Sequence, residues 1–283
     1  MATTASLTEE NTSNYIQAGE FKLHYHESGN GDPLLMLHGA GPGANGWGNY
    51  NRNFPTFAAT YRTIVPDHPG FGKSDPVVIT DEPRDLVHAR AFKDMLDSLK
   101  IERAHVVAHS MGGGVALRFA IEYPERINKL VLLCPSGGGR SIMQPMPMEG
   151  SKSLAPVLRD PTVDTLRRFV HFLVYDPSTI PEELIERRYK AMMEHPEHLE
   201  NFLKSLAAPV PVASDLSSRL PEIKAETLII WGRDDRFAPL DHALKFVWGI
   251  PDARLHIFSK SGHWPQYEHL EAFNQLVLNF LAG

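Results

Sequence analysis

The 283-residue chain has a single cysteine, Cys134. One thiol closes no internal disulfide, so a reducing compartment is the natural setting. Cys134 lies in the apolar run "KLVLLCPSG" and reads as core, not as a second nucleophile. Basic charge is also scarce. Its 28 Lys and Arg against 34 Asp and Glu give a net charge of −6, which argues against nucleic acid as a partner. No apolar run reaches the roughly 18 residues that a membrane-spanning helix needs, so no membrane association is expected. The N-terminal "MATTASLTEENTSNYIQ" is polar and lacks the apolar region of a secretory signal. A soluble, cytoplasmic protein is expected. The Gly-Lys-Ser/Thr ending of a phosphate-binding loop is missing. The fourteen histidines, "LHYH" included, form no convincing ligand set, so neither metal nor organic cofactor is expected.

What is present is a rhythm of short apolar strands and helices. Hydrophobic residues make up 42% of the chain and charged ones 22%, as in a globular protein of one large domain or one domain with an insertion. "YIQAGEFKLHYHESG" reads as a hairpin, and "PLLMLHG", "YRTIVPDHPG", "AHVVAHS", "KLVLLCP", "ETLIIWG" and "ARLHIFS" as strands. Residues 84–100 carry Leu86, Ala89, Phe92, Met95, Leu96 and Leu99 at helical spacing. Almost wholly apolar strands alternating with helices predict an α/β fold with a mostly parallel sheet flanked by helices. Residues 141–213 break the rhythm and contain no convincing buried strand. They read as an all-helical lid between the two parts of the core domain, 1–140 and 214–283. In open parallel sheets ligands bind beyond the carboxyl ends of the strands, so such an insertion would roof the site.

Four strand ends carry candidate chemistry. In "HVVAHSMGGG" a strand stops on Ser110 and three glycines follow. By itself this is a helix-capping turn or a nucleophile elbow, Gly-x-Ser-x-Gly, with Ala108 in the first glycine position. "WGRDDRFAP" puts Asp234 and Asp235 after another strand, and "SKSGHWPQ" puts His263 after the next. The order Ser, Asp, His is that of the α/β-hydrolase triad. The chemistry needs all three. A serine hydroxyl is a weak nucleophile, an imidazole must take its proton, and a carboxylate must hold the imidazole in the right tautomer. Asp235, three after Gly232 and four before Pro239, has the hydrolase spacing, and Asp234 reads as a turn residue. The loop "LHGAGPGANGW" keeps its backbone bare for amide donors to an oxyanion. The N–H groups of Met111 and Ala40 are the nominees, with Gly41 as the neighbouring possibility.

The stretches "HGAGPGANGWGNYNRN", "VYDPSTIPEELIERRYKAMMEHPEHLENFL", "WGRDDRFAPLDHALK" and "FSKSGHWPQYEH", with the elbow, resemble the meta-cleavage product hydrolases. The similarity covers almost the whole chain. These α/β-hydrolases cleave carbon–carbon bonds in ring-opened aromatic catabolites, and the biphenyl-type members are especially similar. The resemblance implies that the C5–C6 bond of a 2-hydroxy-6-oxohexa-2,4-dienoate is cleaved to a carboxylic acid and a 2-hydroxypenta-2,4-dienoate. It implies substrate-binding roles for Asn49, on the dienoate oxygens, for Arg188, on the carboxylate, and for Trp264, along the dienoate. Gly41 belongs to the same site, and Arg187 is the competitor of Arg188. A departure lies at His109, where the family has asparagine. An imidazole still donates one hydrogen bond there but also titrates near neutral pH. Met143, Met146, Met148, Leu154, Phe169, Phe172, Leu173 and Val174 are expected to line an apolar pocket for an aryl or bulkier C6 substituent. A homo-oligomer, dimer or higher, acting on a small-molecule dienoate is expected. The alternatives are a serine carboxylesterase of the same fold, a hydrolase of a steroid-derived seco-substrate, and a non-catalytic binding protein on this scaffold.

Overall fold

A computed structural model describes residues 7–143, 149–210 and 213–283. Eight strands form one sheet: β1 (Ser13–Ala18), β2 (Phe21–Ser28), β3 (Pro33–Leu37), β4 (Arg62–Pro66), β5 (Ala104–His109), β6 (Ile127–Leu133), β7 (Glu226–Gly232) and β8 (Ala253–Phe258). Their order is β1-β2-β4-β3-β5-β6-β7-β8. β2 runs antiparallel to β1 and to β4, and every other pairing is parallel. The expected hairpin is β1 and β2, and the mostly parallel sheet is the expected one.

β5 explains why the inner strands read as unbroken apolar runs. All of its residues are buried. Val106 and Ala108 face the cluster that holds the helices Arg84–Ser98 and Met111–Glu122, whereas Val107 faces the cluster of the helix Leu270–Ala282. β6 divides in the same way, with Leu130 and Leu132 opposite Val131 and Leu133. Side chains alternate between faces, and helices cover both, so the central positions are apolar on either face and the polar His105, His109, Asn128 and Lys129 stand toward the strand ends. Cys134, just past β6, is buried in the first cluster, and burial pushes its thiol well above the ordinary range. The nucleophilic thiolate is thereby suppressed.

Between β6 and β7 lie the helices Glu149–Arg159, Val163–Leu173, Glu182–Glu194 and Pro196–Leu206. They build a separate core around Leu166, Phe169, Val170 and Ile185, which Trp264 joins from the sheet side. Thr162 and Thr165 start the helix Val163–Leu173 with a capping box. At its other end Arg236 Nη2 donates to the carbonyls of His171, Phe172 and Val174 at 3.1–3.2 Å. A cation there answers the carbonyls that a helix C-terminus leaves unpaired.

Candidate active site

β5 ends in a strained turn. Ser110 has φ 53° and ψ −114°, a conformation that costs a non-glycine residue about 1–3 kcal/mol. Its N–H donates to the Leu133 carbonyl, and its own carbonyl accepts from Ser136 N–H, both at 2.9 Å. The glycines that follow make room for this turn. A Cβ on Gly112 would lie 2.6 Å from the His38 carbonyl oxygen, and one on Gly113 2.6 Å from Pro135 Cβ. On Gly114 it would lie 2.2 Å from Ser136 Oγ. The helix Met111–Glu122 thus starts with bare backbone pressed against neighbouring strand ends. The alternative in which Ser110 caps that helix is not what forms, since its side chain makes no capping hydrogen bond.

The hydroxyl points elsewhere. Ser110 Oγ lies 2.9 Å from His263 Nε2, and His263 Nδ1 lies 2.7 Å from Asp235 Oδ2. A carboxylate at Nδ1 keeps the proton on that nitrogen and leaves Nε2 bare toward the hydroxyl. Asp235 is itself fixed, because its Oδ1 accepts from the N–H groups of Phe237 and Ala238 at 2.8 and 2.9 Å. Asp234 does other work. It accepts from Lys260 N–H at 2.9 Å and pairs with Arg233, bracing the turn that leads to His263. Met111 is the first residue of its helix, so its N–H has no acceptor within the helix. Ala40 and Gly41 line the cavity above Ser110.

That cavity has a volume of about 470 Å³, enough for a small molecule. Leu154, Phe169 and Leu173 of the helical segment roof it, and Asn49, His109 and Trp264 lie on its walls. An apolar annex of about 50 Å³ adjoins it, lined by Phe71, Leu158, Met192, Leu199 and Phe202. Arg188 reaches down from the helix Glu182–Glu194 onto the glycine loop. Its Nε donates to the Pro42 carbonyl at 2.9 Å, and its guanidinium carbon is 5.6 Å from the Trp264 ring centre. The fit is close, since a Cβ on Gly41, at φ +118°, would lie 2.8 Å from Arg188 Nη2. Burial lowers the Arg188 pKa to about 10. Among the described residues no carboxylate forms a salt bridge with it. Arg187 is exposed at the rim.

Residues 32–270 match the alpha/beta hydrolase fold family. The chain is 54% identical to a 2-hydroxy-6-oxo-6-phenylhexa-2,4-dienoate hydrolase of Comamonas testosteroni, over 97% of this chain and 98% of that one. It is 50% identical to a 2-hydroxy-6-oxononadienedioate/2-hydroxy-6-oxononatrienedioate hydrolase of the same organism, over 99% of each chain. Among solved structures it is similar to a meta-cleavage product hydrolase from Pseudomonas fluorescens IP01. The TM-score is 0.85 and the identity 31%, over 95% of this chain and 97% of that one. The chain belongs to the meta-cleavage product hydrolases of the α/β-hydrolase fold.

In this meta-cleavage product hydrolase the helical segment also reaches the site through its main chain. His263 N–H donates to the Leu173 carbonyl at 2.6 Å, and a Cβ on Gly262 would lie 2.5 Å from that same oxygen. Glu268 accepts from Tyr175 N–H and Gly262 N–H at 2.6 and 2.7 Å, tying the two segments together. Phe237 escaped sequence reasoning. It lines the cavity, and its ring centre is 4.9 Å from that of His263. The available signal was Asp235, whose side chain accepts from residues two and three further on, a local turn that brings Phe237 beside the histidine. Some of the expected apolar wall lies elsewhere. Phe169 and Leu173, four apart, share the cavity face of their helix, which turns Phe172 outward beneath Arg236. Val174 is buried in the helical core and Met143 is exposed. Met146 and Met148 lie outside the described residues.

Proposed function

We propose that this hydrolase cleaves the C5–C6 bond of 2-hydroxy-6-oxohexa-2,4-dienoates carrying an aryl group on C6, with Ser110, His263 and Asp235 as the catalytic triad. The observation that carries the reading is Arg188, a half-buried cation with no carboxylate partner among the described residues, facing the cavity that holds the Ser110–His263–Asp235 chain. A simple esterase has no use for such a group. A dienoate carboxylate suits the guanidinium fork bidentately.

Direct cleavage of the dienol would expel a poor carbanion. The dienol therefore first ketonises, its hydroxyl proton being lost and a proton being gained at C5. Arg188 and Trp264 hold the carboxylate end, and Asn49 the neighbouring oxygen. Ser110 Oγ then attacks the C6 carbonyl while His263 Nε2 takes its proton, and the N–H groups of Ala40 and Met111 stabilise the oxyanion. The C5–C6 bond breaks as the tetrahedral centre collapses. Its electron pair leaves in the dienolate, which the conjugated 2-oxo group stabilises and to which the His263 imidazolium returns its proton. Water, activated by His263, releases the carboxylic acid from Ser110.

The choice of an aryl substituent is supported by the apolar annex. The competing reading, a dienedioate substrate, is favoured by relatives such as the 50% identical one above. Turnover of a 6-phenyl and a nonadienedioate substrate, followed by loss of visible dienolate absorbance, separates the two. Ser110→Ala tests the core of the proposal. It should abolish turnover while the coloured substrate still binds, and retained turnover would remove the serine from the mechanism. The proposal includes a cytoplasmic homo-oligomer. It is supported by the lone cysteine and by Trp248, 93% exposed, one turn from exposed Leu244 on the helix Asp241–Gly249.

A further inference from the structure

His109 takes the place of the family's asparagine, and its hydrogen bonds raise a contradiction that resolves in one way. The ring is buried, with Nε2 2.9 Å from the His263 carbonyl oxygen and Nδ1 3.1 Å from Asn49 Oδ1. A carbonyl only accepts, so Nε2 carries a proton. If the ring is neutral, Nδ1 is bare and faces another acceptor. Meanwhile Asn49 Nδ2 is buried without a partner. Both faults disappear when the Asn49 carboxamide is turned over. Carboxamide oxygen and nitrogen are distinguished only by their hydrogen bonds. Nδ2 then donates to His109 Nδ1, and Oδ1 takes the position of the unpartnered nitrogen. What is given up is a long contact, Gly39 N–H to Asn49 Oδ1 at 3.4 Å.

The other escape is an imidazolium that donates from both nitrogens. The charged neighbours oppose it. His263, His38 and Arg188 surround the ring with groups that are cationic when protonated, and burial drives the ring well below its ordinary pKa. Among the described residues no carboxylate bonds to His109.

We infer that His109 is a positioning residue. Its Nε2–H tautomer holds the Asn49 carboxamide with Nδ2 toward the ring, fixing that side chain on the cavity wall, and it tethers the main chain of His263. The kinetic part of the inference rests on the dienoate reading above, and the tautomer does not.

Two substitutions separate the two bonds. Asparagine places its amide near the position of Nδ1, and glutamine near that of Nε2. H109Q should keep the tether and lose the lock on Asn49, raising KM for the dienoate about tenfold with kcat reduced less than threefold. H109N should keep a partner for Asn49 and lose the tether, lowering kcat about tenfold with little change in KM. Equal effects of the two on kcat and KM would overturn the inference. The independent readout is nitrogen NMR of the folded wild-type enzyme labelled at histidine. A His109 ring with a bare Nδ1 and a protonated Nε2 supports the assignment, and any other protonation pattern refutes it. That measurement decides even if no dienoate is turned over or a variant fails to fold.

Discussion

Arg188→Gln should stabilise the free enzyme while removing most of its activity. At neutral pH the guanidinium is charged both folded and unfolded, so the cost of burying it is fully present. Its pKa of about 10 corresponds to a penalty of about 3 kcal/mol at 1.36 kcal/mol per decade. Two contacts offset part of this. The hydrogen bond to the Pro42 carbonyl is worth about 1 kcal/mol, and the stacking on Trp264 about 0.5–1. The net gain on removal is about 1–2 kcal/mol, and it shrinks as pH rises through the folded pKa of about 10. The catalytic loss goes the other way. Two charge-assisted hydrogen bonds to a carboxylate, at about 1.5–3 kcal/mol each, give a fall in kcat/KM of roughly 10²–10⁴. Urea midpoints at pH 7, and kcat/KM on a 6-phenyl dienoate and on a neutral ester, measure both arms. A variant that is less stable than wild type, or that loses as much on the ester, would refute the reasoning.

Three further outcomes follow from the geometry. In Asp235→Asn the new amide group can face His263 Nδ1 only if that nitrogen is bare, which moves the proton to Nε2 and blocks the serine. A drop in kcat of about 10⁴ with near-native melting is expected, and a loss below tenfold would argue against the triad. Gly112→Ala sets a methyl 2.6 Å from the main-chain oxygen of His38, which cannot swing aside, so a loss of about 2–3 kcal/mol should appear in denaturant midpoints. Asp67 accepts from His24 Nδ1, Gly46 N–H and Lys73 N–H at 2.7–3.0 Å. Burial raises its pKa, but His24, His38 and the Lys73 amide outweigh it and hold the carboxyl below its ordinary value. Its stabilisation is therefore present above the unfolded pKa, near 4, and lost as pH falls. Asp67→Asn should cost about 2 kcal/mol at pH 7, a gap that narrows by under about 1 kcal/mol at pH 3.5 and closes further only as pH falls through the lowered folded pKa, and an equal gap at pH 7 and at pH 2.5 would count against the assignment.

Much of the fold was legible because the inner strands are buried on both faces. β3, β5, β6 and β7 are apolar through their centres, and the polar residues His105, Asn128, Lys129 and Glu226 stand near their starts. The site was legible where residue type alone carries chemistry, as with Ser110, Asp235 and His263, which the fold brings within hydrogen-bonding distance from positions up to 153 apart. Contacts made by the main chain leave no such mark. Nothing in the word leucine announces that the Leu173 carbonyl accepts from His263 N–H, and any residue there would supply the same oxygen. Gly262 is the one trace of it, since only glycine lets that carbonyl approach. Phe172 and Val174 were misplaced for a related reason. An apolar run on a helix names several wall residues, but only those on one face can share a cavity.

His263 is held from three directions, and this decides what the helical segment means for the chemistry. Asp235 fixes the ring, His109 grips the carbonyl, and Leu173 of the helical segment takes the N–H. The same segment supplies Arg188, and its helix Val163–Leu173 is pinned to the sheet by Arg236, next in sequence to Asp235. An outward swing of that helix large enough to admit a substrate has to break the Leu173 contact and those of Arg236 together. His263, the base of the proposed mechanism, would then lose one of its three anchors at the moment the cavity is open to water. Closing restores the hydrogen bond at 2.6 Å and seats the guanidinium over the glycine loop in one movement. Roof and proton acceptor are therefore not separable parts. On the proposed mechanism, the residues that would exclude water are covalently continuous with those that orient the imidazole, so the nucleophile would be best organised once the substrate is enclosed.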